Sequence, residues 1–121
     1  MNLFDIEWIA TDPREKQVVM CKSIKDARSA KHADPPEYLS TDKVREIIRD
    51  PDRIDASSQR ENCDIYYCVS ETETYRFARA VVDFGLDPDR GIVRSWSRYE
   101  HPVSSHGVIY RKGENDEDRH S

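Results

Sequence analysis

The 121-residue sequence is poor in the motifs of disulfide-rich, metal-binding and nucleotide-binding proteins. Its three cysteines are an odd number without Cys-x-x-Cys spacing, which argues against a complete disulfide framework and against a cysteine pair for zinc. The four histidines show no His-x-x-x-His spacing and the four glycines are isolated, so neither a histidine metal motif nor a glycine-rich phosphate loop is indicated. We therefore expect no metal and no cofactor.

Long apolar runs are also missing. No stretch approaches the ~20 apolar residues that span a bilayer. The first seven residues lack the basic start and apolar run of a secretory signal. A reduced, cytoplasmic protein with no membrane partner is the expectation.

An excess of positive charge is absent as well, since the formal net charge is -5 and the pI about 5.4. Proteins that coat nucleic acid nonspecifically need clustered Lys and Arg, so only a local basic face could bind it here. The chain has 36% charged and 36% apolar residues. This composition predicts one very polar domain with a thin core. We place that domain at residues 1–112 and expect a disordered acidic tail at 113–121.

The N-terminus predicts a β-hairpin. Phe4, Ile6 and Trp8 alternate with acidic residues, and a second apolar run at residues 18–21 follows a turn-rich segment. A single helix across residues 14–33 is the competing interpretation, and the two adjacent valines favour the strand.

A first helix is predicted over residues 24–32, with Ser23 as its N-cap. Basic side chains recur on it at helical spacing and share one face: Lys22, Lys25, Arg28 and His32. Pro35 and Pro36 then stop it.

A second helix has stronger end signals. Ser40 can cap it, Leu39 lies where it can staple onto Val44, and Pro51 ends it. The apolar residues Val44, Ile47 and Ile48 predict its buried stripe.

The C-terminal half predicts strands at residues 65–69, 75–84 and 92–99, and a short edge strand at 108–110. A helix over 75–82 is the alternative for the second. Residues 55–62 have loop composition. Successive strands on short turns favour an antiparallel meander, so the expected fold class is α+β, with two N-terminal-half helices on a twisted antiparallel sheet of about four strands.

The strand from residue 92 carries the most chemistry. On a regular strand Arg94, Trp96 and Arg98 share one face and Ser95 lies on the other. Arginine can fork onto phosphate and tryptophan can stack on a base, which suits single-stranded RNA or a tRNA loop. The plainer interpretation is an outward strand face with Trp96 half-buried.

Metal-independent RNA cleavage needs a group that takes the 2′-hydroxyl proton and donors that stabilise the phosphate. His32 is the titratable candidate, although a histidine at a helix end also serves as a C-terminal cap. Arg28 and Arg94 can hold phosphate and Ser95 can hydrogen-bond it. Arg94 and Ser95 reach one cleft only through a bulge or at a sheet edge.

Five segments together resemble a family of small nucleases that spans the barnase, EndoU, colicin and RelE domains, in particular its phage-associated, toxin-like branch. They are Lys31-His32-Ala33-Asp34-Pro35-Pro36-Glu37, residues 47–54 with Asp50-Pro51-Asp52, Ile65-Tyr66-Tyr67, Ala80-Val81-Val82 and Gly91-Ile92-Val93-Arg94-Ser95-Trp96. The resemblance covers roughly residues 17–99.

This resemblance implies a metal-independent endoribonuclease. Its catalytic residues would be His32, Arg94 and Ser95, and its substrate-binding residues Lys25, Arg28, Trp96 and Arg98. The expected partners are RNA, including tRNA, and a cognate inhibitor or antitoxin protein. Two alternatives stay open: a noncatalytic protein-binding module of the same fold, and a nucleic-acid-binding regulator without turnover.

Overall fold

The computed structural model of the protein describes residues 5–31, 39–69, 77–99 and 105–113. In chain order these residues form β1 (Ile6–Thr11), β2 (Gln17–Cys21), α1 (Lys22–Lys31), α2 (Thr41–Arg49), β3 (Arg53–Ser57), β4 (Cys63–Val69), β5 (Phe77–Asp83), β6 (Gly91–Tyr99) and β7 (Ser105–Arg111). His32 and residues 114–121 of the expected tail lie outside the described residues.

The seven described strands join one sheet in the order β1-β2-β6-β5-β4-β3-β7. Neighbours pair antiparallel except β2 and β6, which run parallel. The expected fold class, two helices on an antiparallel sheet of about four strands, was therefore wrong. The sheet is larger and mixed, and the two described helices are short.

Two additions to the expected meander account for this difference. The N-terminal hairpin of β1 and β2 docks alongside β6, and α1, α2 and three strands supply the long connection that a parallel pair requires. β3 takes up the start of the segment expected to be a loop, where it pairs with β4 on one side and β7 on the other.

α2 begins and ends where its sequence signals lie. The Ser40 side chain accepts a hydrogen bond from the backbone N–H of Lys43 at 3.2 Å, and the helix ends at Arg49, before Pro51. Its apolar stripe is fully buried, which is what anchors a short helix that propensity alone would not stabilise: Val44, Ile47 and Ile48.

One face of the sheet packs against α2. This face forms the main core, which includes Met20, Ile54, Tyr66, Ala80, Val82, Val93 and Trp96. We call the opposite side of β3 to β7 the far face. Because strand side chains alternate, it carries Arg53, Asp55, Ile65, Tyr67, Arg79, Val81, Ser95 and Ser97.

Across the described part of the chain, neither helix combines the length and the apolar character needed to cross a membrane.

Candidate functional site

A β-bulge in β6 brings Arg94 and Ser95 to the same side of the sheet. Ser95 pairs with Val81 and Val93 pairs with Val82, so Arg94 is an extra residue between them. An extra residue breaks strict alternation and re-aims its side chain. Both Arg94 and Ser95 consequently line one cleft on the far face.

This cleft, which we call the arginine cleft, has a volume of about 250 Å³. Its described lining consists of three arginines, three neutral polar residues and two aliphatic residues, and includes no carboxylate: Arg60, Arg79, Arg94, Ser57, Gln59, Ser95, Ile65 and Val81. Guanidinium groups present planar forks of donors that match phosphate oxygens. The arrangement is suited to binding a phosphate group.

The turn between β3 and β4 forms one wall of the cleft. The Ser57 hydroxyl accepts hydrogen bonds from the backbone N–H groups of Gln59 and Arg60, each at 3.2 Å. Asn62 closes the turn with a φ of 64°, a left-handed conformation that asparagine tolerates better than most residues. The turn thereby places Arg60 over the sheet.

The floor and the opposite wall come from the central strands. Ile65 and Val81 pair directly across β4 and β5, and Ile65 is only 2% exposed, so the floor is packed and apolar. Arg79 lies one pleat along from Val81, between Tyr67 and Ser97 on the neighbouring strands. Mounting Arg79 on a central strand limits how far its backbone can move.

Asp83 approaches the cleft from outside its lining. Asp83 Oδ2 is 4.0 Å from Nη1 of Arg94, at the limit of an ion pair. Asp83 also accepts a hydrogen bond from the backbone N–H of Gly85 at 2.7 Å through Oδ1. Asp83 therefore offsets part of the charge of Arg94.

A larger cavity of about 520 Å³ lies at the C-terminal end of α2, but its charges are matched. Three basic and three acidic side chains line it, and two pairs are in contact: Lys112 with Asp50 at 2.9 Å and Lys43 with Glu46 at 3.4 Å. We favour the arginine cleft as the site because its described lining has three arginines and no carboxylate.

Trp96 lies away from the arginine cleft, on the face that packs against α2. Trp96 is 5% exposed, and its Nε1–H donates to the backbone carbonyl of Leu39 at 3.1 Å. Arg98 shares that face, because it pairs with Ala78 while Trp96 pairs with Ala80. The expectation that Arg94, Trp96 and Arg98 form one cationic face was wrong because the bulge separates Arg94 from the other two.

The predicted basic helix face is only partly described. Lys25 contacts Glu7 of β1 at 2.9 Å, and this hydrogen bond lowers the pKa of Glu7 and raises that of Lys25. Arg28 belongs to α1, but its side chain lies outside the described residues, as does the whole of His32. The structure thus brings together Arg94 and Ser95 among the predicted site residues.

Four polar residues of the cleft were not predicted: Ser57, Gln59, Arg60 and Arg79. Arg79 had a usable signal, since it alternates with Val81 on the strand face opposite Ala78 and Ala80. The other three sit on or beside a turn whose composition resembles any loop.

Arg14, which lies outside the arginine cleft, is held very differently. Its Nη2 lies 2.9 Å from Oδ2 of Asp12 and its Nη1 lies 3.0 Å from Oδ2 of Asp64. The Tyr66 hydroxyl donates to Asp12 at 2.6 Å, and burial together with this hydrogen bond raises the pKa of Tyr66. Arg14 thus fastens the β1–β2 turn to β4 and has no role at the cleft.

The described residues give little support for a cysteine nucleophile or for a metal site. Burial raises the pKa of all three cysteine thiols, which disfavours the nucleophilic thiolate. No group of three or more His, Cys, Asp or Glu side chains in the described ranges is arranged to hold a metal ion.

No family model, curated protein or solved structure matches the chain.

Proposed function

We propose that the protein is a metal-independent endoribonuclease that holds the RNA backbone in the arginine cleft. The observation that carries this proposal is the bulge at Arg94, which places a guanidinium and the Ser95 hydroxyl in one cleft with two further arginines. Three guanidinium groups can bind a phosphate and stabilise the charge that develops on it during cleavage.

The acidic average charge of the chain is compatible with this function. Since the net charge is -5, the bulk of the surface repels a polyanion. RNA would then be held where arginines concentrate, as in the cleft. The small volume favours a phosphate with its ribose rather than a large ligand.

Proton transfer is assigned to His32 in this proposal. An imidazole titrates near neutral pH and can act as general base or general acid. The assignment rests on the sequence resemblance, as the described lining of the cleft supplies phosphate-binding groups and no titratable base. Arg94 binds the scissile phosphate and Ser95 donates a hydrogen bond to it.

The test is cleavage of total RNA by purified protein in EDTA. We expect the wild-type protein to cleave, His32→Ala to lose cleavage while retaining RNA binding, and Arg94→Gln to lose both. Arg45→Gln is the matched control, because Arg45 is an exposed arginine on α2. Equal cleavage by wild type and His32→Ala removes His32 from the mechanism.

A second candidate function is RNA binding without turnover. The absence of carboxylate and imidazole groups from the described lining of the cleft favours it. Salt-sensitive RNA binding without cleavage, abolished by Arg94→Gln, would support this function over the enzyme. A stable protein complex without RNA binding would instead support the protein-binding module.

A further inference from the structure

The hydroxyl of Ser57, which lines the arginine cleft, can donate a hydrogen bond but has no lone pair left to accept one. Its oxygen accepts hydrogen bonds from the backbone N–H groups of Gln59 and Arg60, each at 3.2 Å. A serine hydroxyl has two acceptor lone pairs and one O–H donor. Because the two backbone groups occupy both lone pairs, only the O–H remains for a further hydrogen bond.

This O–H is available to a ligand. Within the ranges that the structure describes, the Ser57 proton has no acceptor. Ser57 is half-buried and is the last residue of β3. The register of β3 with β4 ends one residue earlier, at the pair of Ala56 with Asp64, so Ser57 lies where the chain leaves the sheet to form the wall of the cleft.

The ligand group that suits this O–H is an anionic oxygen. Two N–H donors on the Ser57 oxygen polarise its O–H and strengthen it as a donor. Hydrogen bonds to ionised acceptors are stronger than those between neutral groups. The guanidinium groups that share the cleft lining are also donors without acceptor capacity. A phosphate supplies the acceptor oxygens that such a set of donors requires.

The hydrogen bonds of Ser57 also hold the backbone of Arg60. The N–H of Arg60 donates to Ser57, and its carbonyl accepts from the backbone N–H of Cys63 at 3.4 Å. Asn62, with its φ of 64°, closes the same turn. The O–H of Ser57 and the backbone from which Arg60 reaches the cleft are therefore fixed relative to each other.

We propose that Ser57 is a phosphate-binding residue of the arginine cleft, whose hydroxyl donates to one nonbridging oxygen of the RNA backbone. This inference rests on the proposed function and adds a binding residue to it. A donor that cannot accept makes no hydrogen bond to a group that offers only protons, such as a base amino group. The contact therefore positions the backbone and reads no base sequence.

The test uses a labelled 2′-O-methyl uridine dinucleotide and its Rp and Sp phosphorothioates, with affinities measured by fluorescence anisotropy. Each isomer replaces a different nonbridging oxygen by sulfur, a weaker acceptor, and keeps the charge. We expect the wild-type protein to bind the two isomers with different affinities. Ser57→Ala should weaken binding of the unmodified dinucleotide about tenfold, as for one hydrogen bond to a charged acceptor, and should shift the ratio of the two isomer affinities toward one.

Two further variants separate the hydroxyl from the turn. Ser57→Thr keeps an O–H and should retain most of the affinity and the isomer ratio. Ser58→Ala removes the neighbouring hydroxyl, which is outside the described lining of the cleft, and should leave both unchanged. Hydrogen exchange at the amides of Gln59 and Arg60 follows the turn itself in each variant.

The remaining outcomes contradict the proposal. If Ser57→Ala weakens binding but keeps the wild-type isomer ratio, Ser57 acts only through the turn. Equal affinities of Ser57→Ala and Ser58→Ala, or equal binding of the two isomers by the wild type, would also overturn the phosphate contact. In these cases, loss of binding by Arg94→Gln leaves the proposed function standing. If the wild-type protein binds no dinucleotide, both the contact and the proposed function fail.

Discussion

Arginines lie on both sides of the sheet, but they differ in the carboxylates that surround them. On the side of α2, Arg14 is enclosed by the carboxylates of Asp12 and Asp64 and contacts the hydroxyl of Tyr66. On the far face, the described lining of the arginine cleft has three arginines and no carboxylate. The carboxylates around Arg14 occupy its donors and hold the β1–β2 turn, whereas a lining with several arginines and no carboxylate is suited to bind an anion.

The largest expected change is in the free energy of unfolding, when one of the two carboxylates that pair with Arg14 is removed. Asp12→Asn takes the charge from a carboxylate with no exposed side-chain area and should lower the free energy of unfolding by about 3 kcal/mol. Urea denaturation measures it. Asp42→Asn is the control, because Asp42 is 85% exposed and its ion pair with Arg45 spans 3.9 Å, so its effect should stay below about 1 kcal/mol. Similar effects of the two substitutions would contradict the structural role of Asp12.

Trp96 is buried on the side of α2, so its substitution tests whether that side contributes to stability and not to RNA binding. Trp96→Phe removes the donor to the Leu39 carbonyl and leaves that group without its partner in the core. The expected loss of unfolding free energy is about 2 kcal/mol, with RNA affinity unchanged when measured well below the unfolding transition. A loss of RNA affinity at unchanged stability would instead place Trp96 in the binding site.

A carboxylate added to the arginine cleft should pair with its arginines, as Asp12 and Asp64 pair with Arg14, and so weaken anion binding. Ser95→Asp puts a negative charge beside Arg94 and should weaken RNA binding about tenfold, equivalent to ~1.4 kcal/mol, while raising the free energy of unfolding by up to about 1 kcal/mol relative to Ser95→Asn. Ser95→Asn is the matched control, since it has nearly the same shape without the charge. Equal RNA affinities of the two variants would show that charge in the cleft is irrelevant.

The smallest effect concerns acid stability. Burial alone would raise the pKa of Asp12, but hydrogen bonds from Tyr66 and from the backbone of Lys16, with the charge of Arg14, outweigh burial and lower it. The stability that this shift contributes is present above the unfolded pKa of about 3.9 and is lost as the pH falls through the lower folded value.

Between pH 5 and pH 2, roughly, the unfolding free energy of the wild type should therefore fall more steeply than that of Asp12→Asn. Denaturant midpoints measured along the pH series check this. Parallel curves for the two proteins would mean that Asp12 does not have a lowered pKa.

Local signals in the sequence predicted the single elements better than their assembly. The cap at Ser40, the stripe on α2 and the stop at Pro51 depend on neighbouring residues, and all three are present in the structure. The parallel pairing of β2 with β6 joins residues about 70 positions apart through a register that no local pattern encodes.

The bulge in β6 explains why the site was predicted only in part. Val93 and Trp96 are both buried on the side of α2, yet they are three residues apart, a spacing that strict alternation cannot place on one face. Had both been taken as core residues, the sequence would have indicated the bulge. The residues of the β3–β4 turn carry no comparable signal.

The most direct test of the arginine cleft is an NMR titration of the wild-type protein with a short 2′-O-methyl oligouridine, which follows backbone amide shifts. We expect the largest shifts at Arg60, Arg79, Arg94 and Ser95, and little change at the amide of Arg14 or at the indole N–H of Trp96. Shifts concentrated on the side of α2, or no shifts at all, would contradict the account.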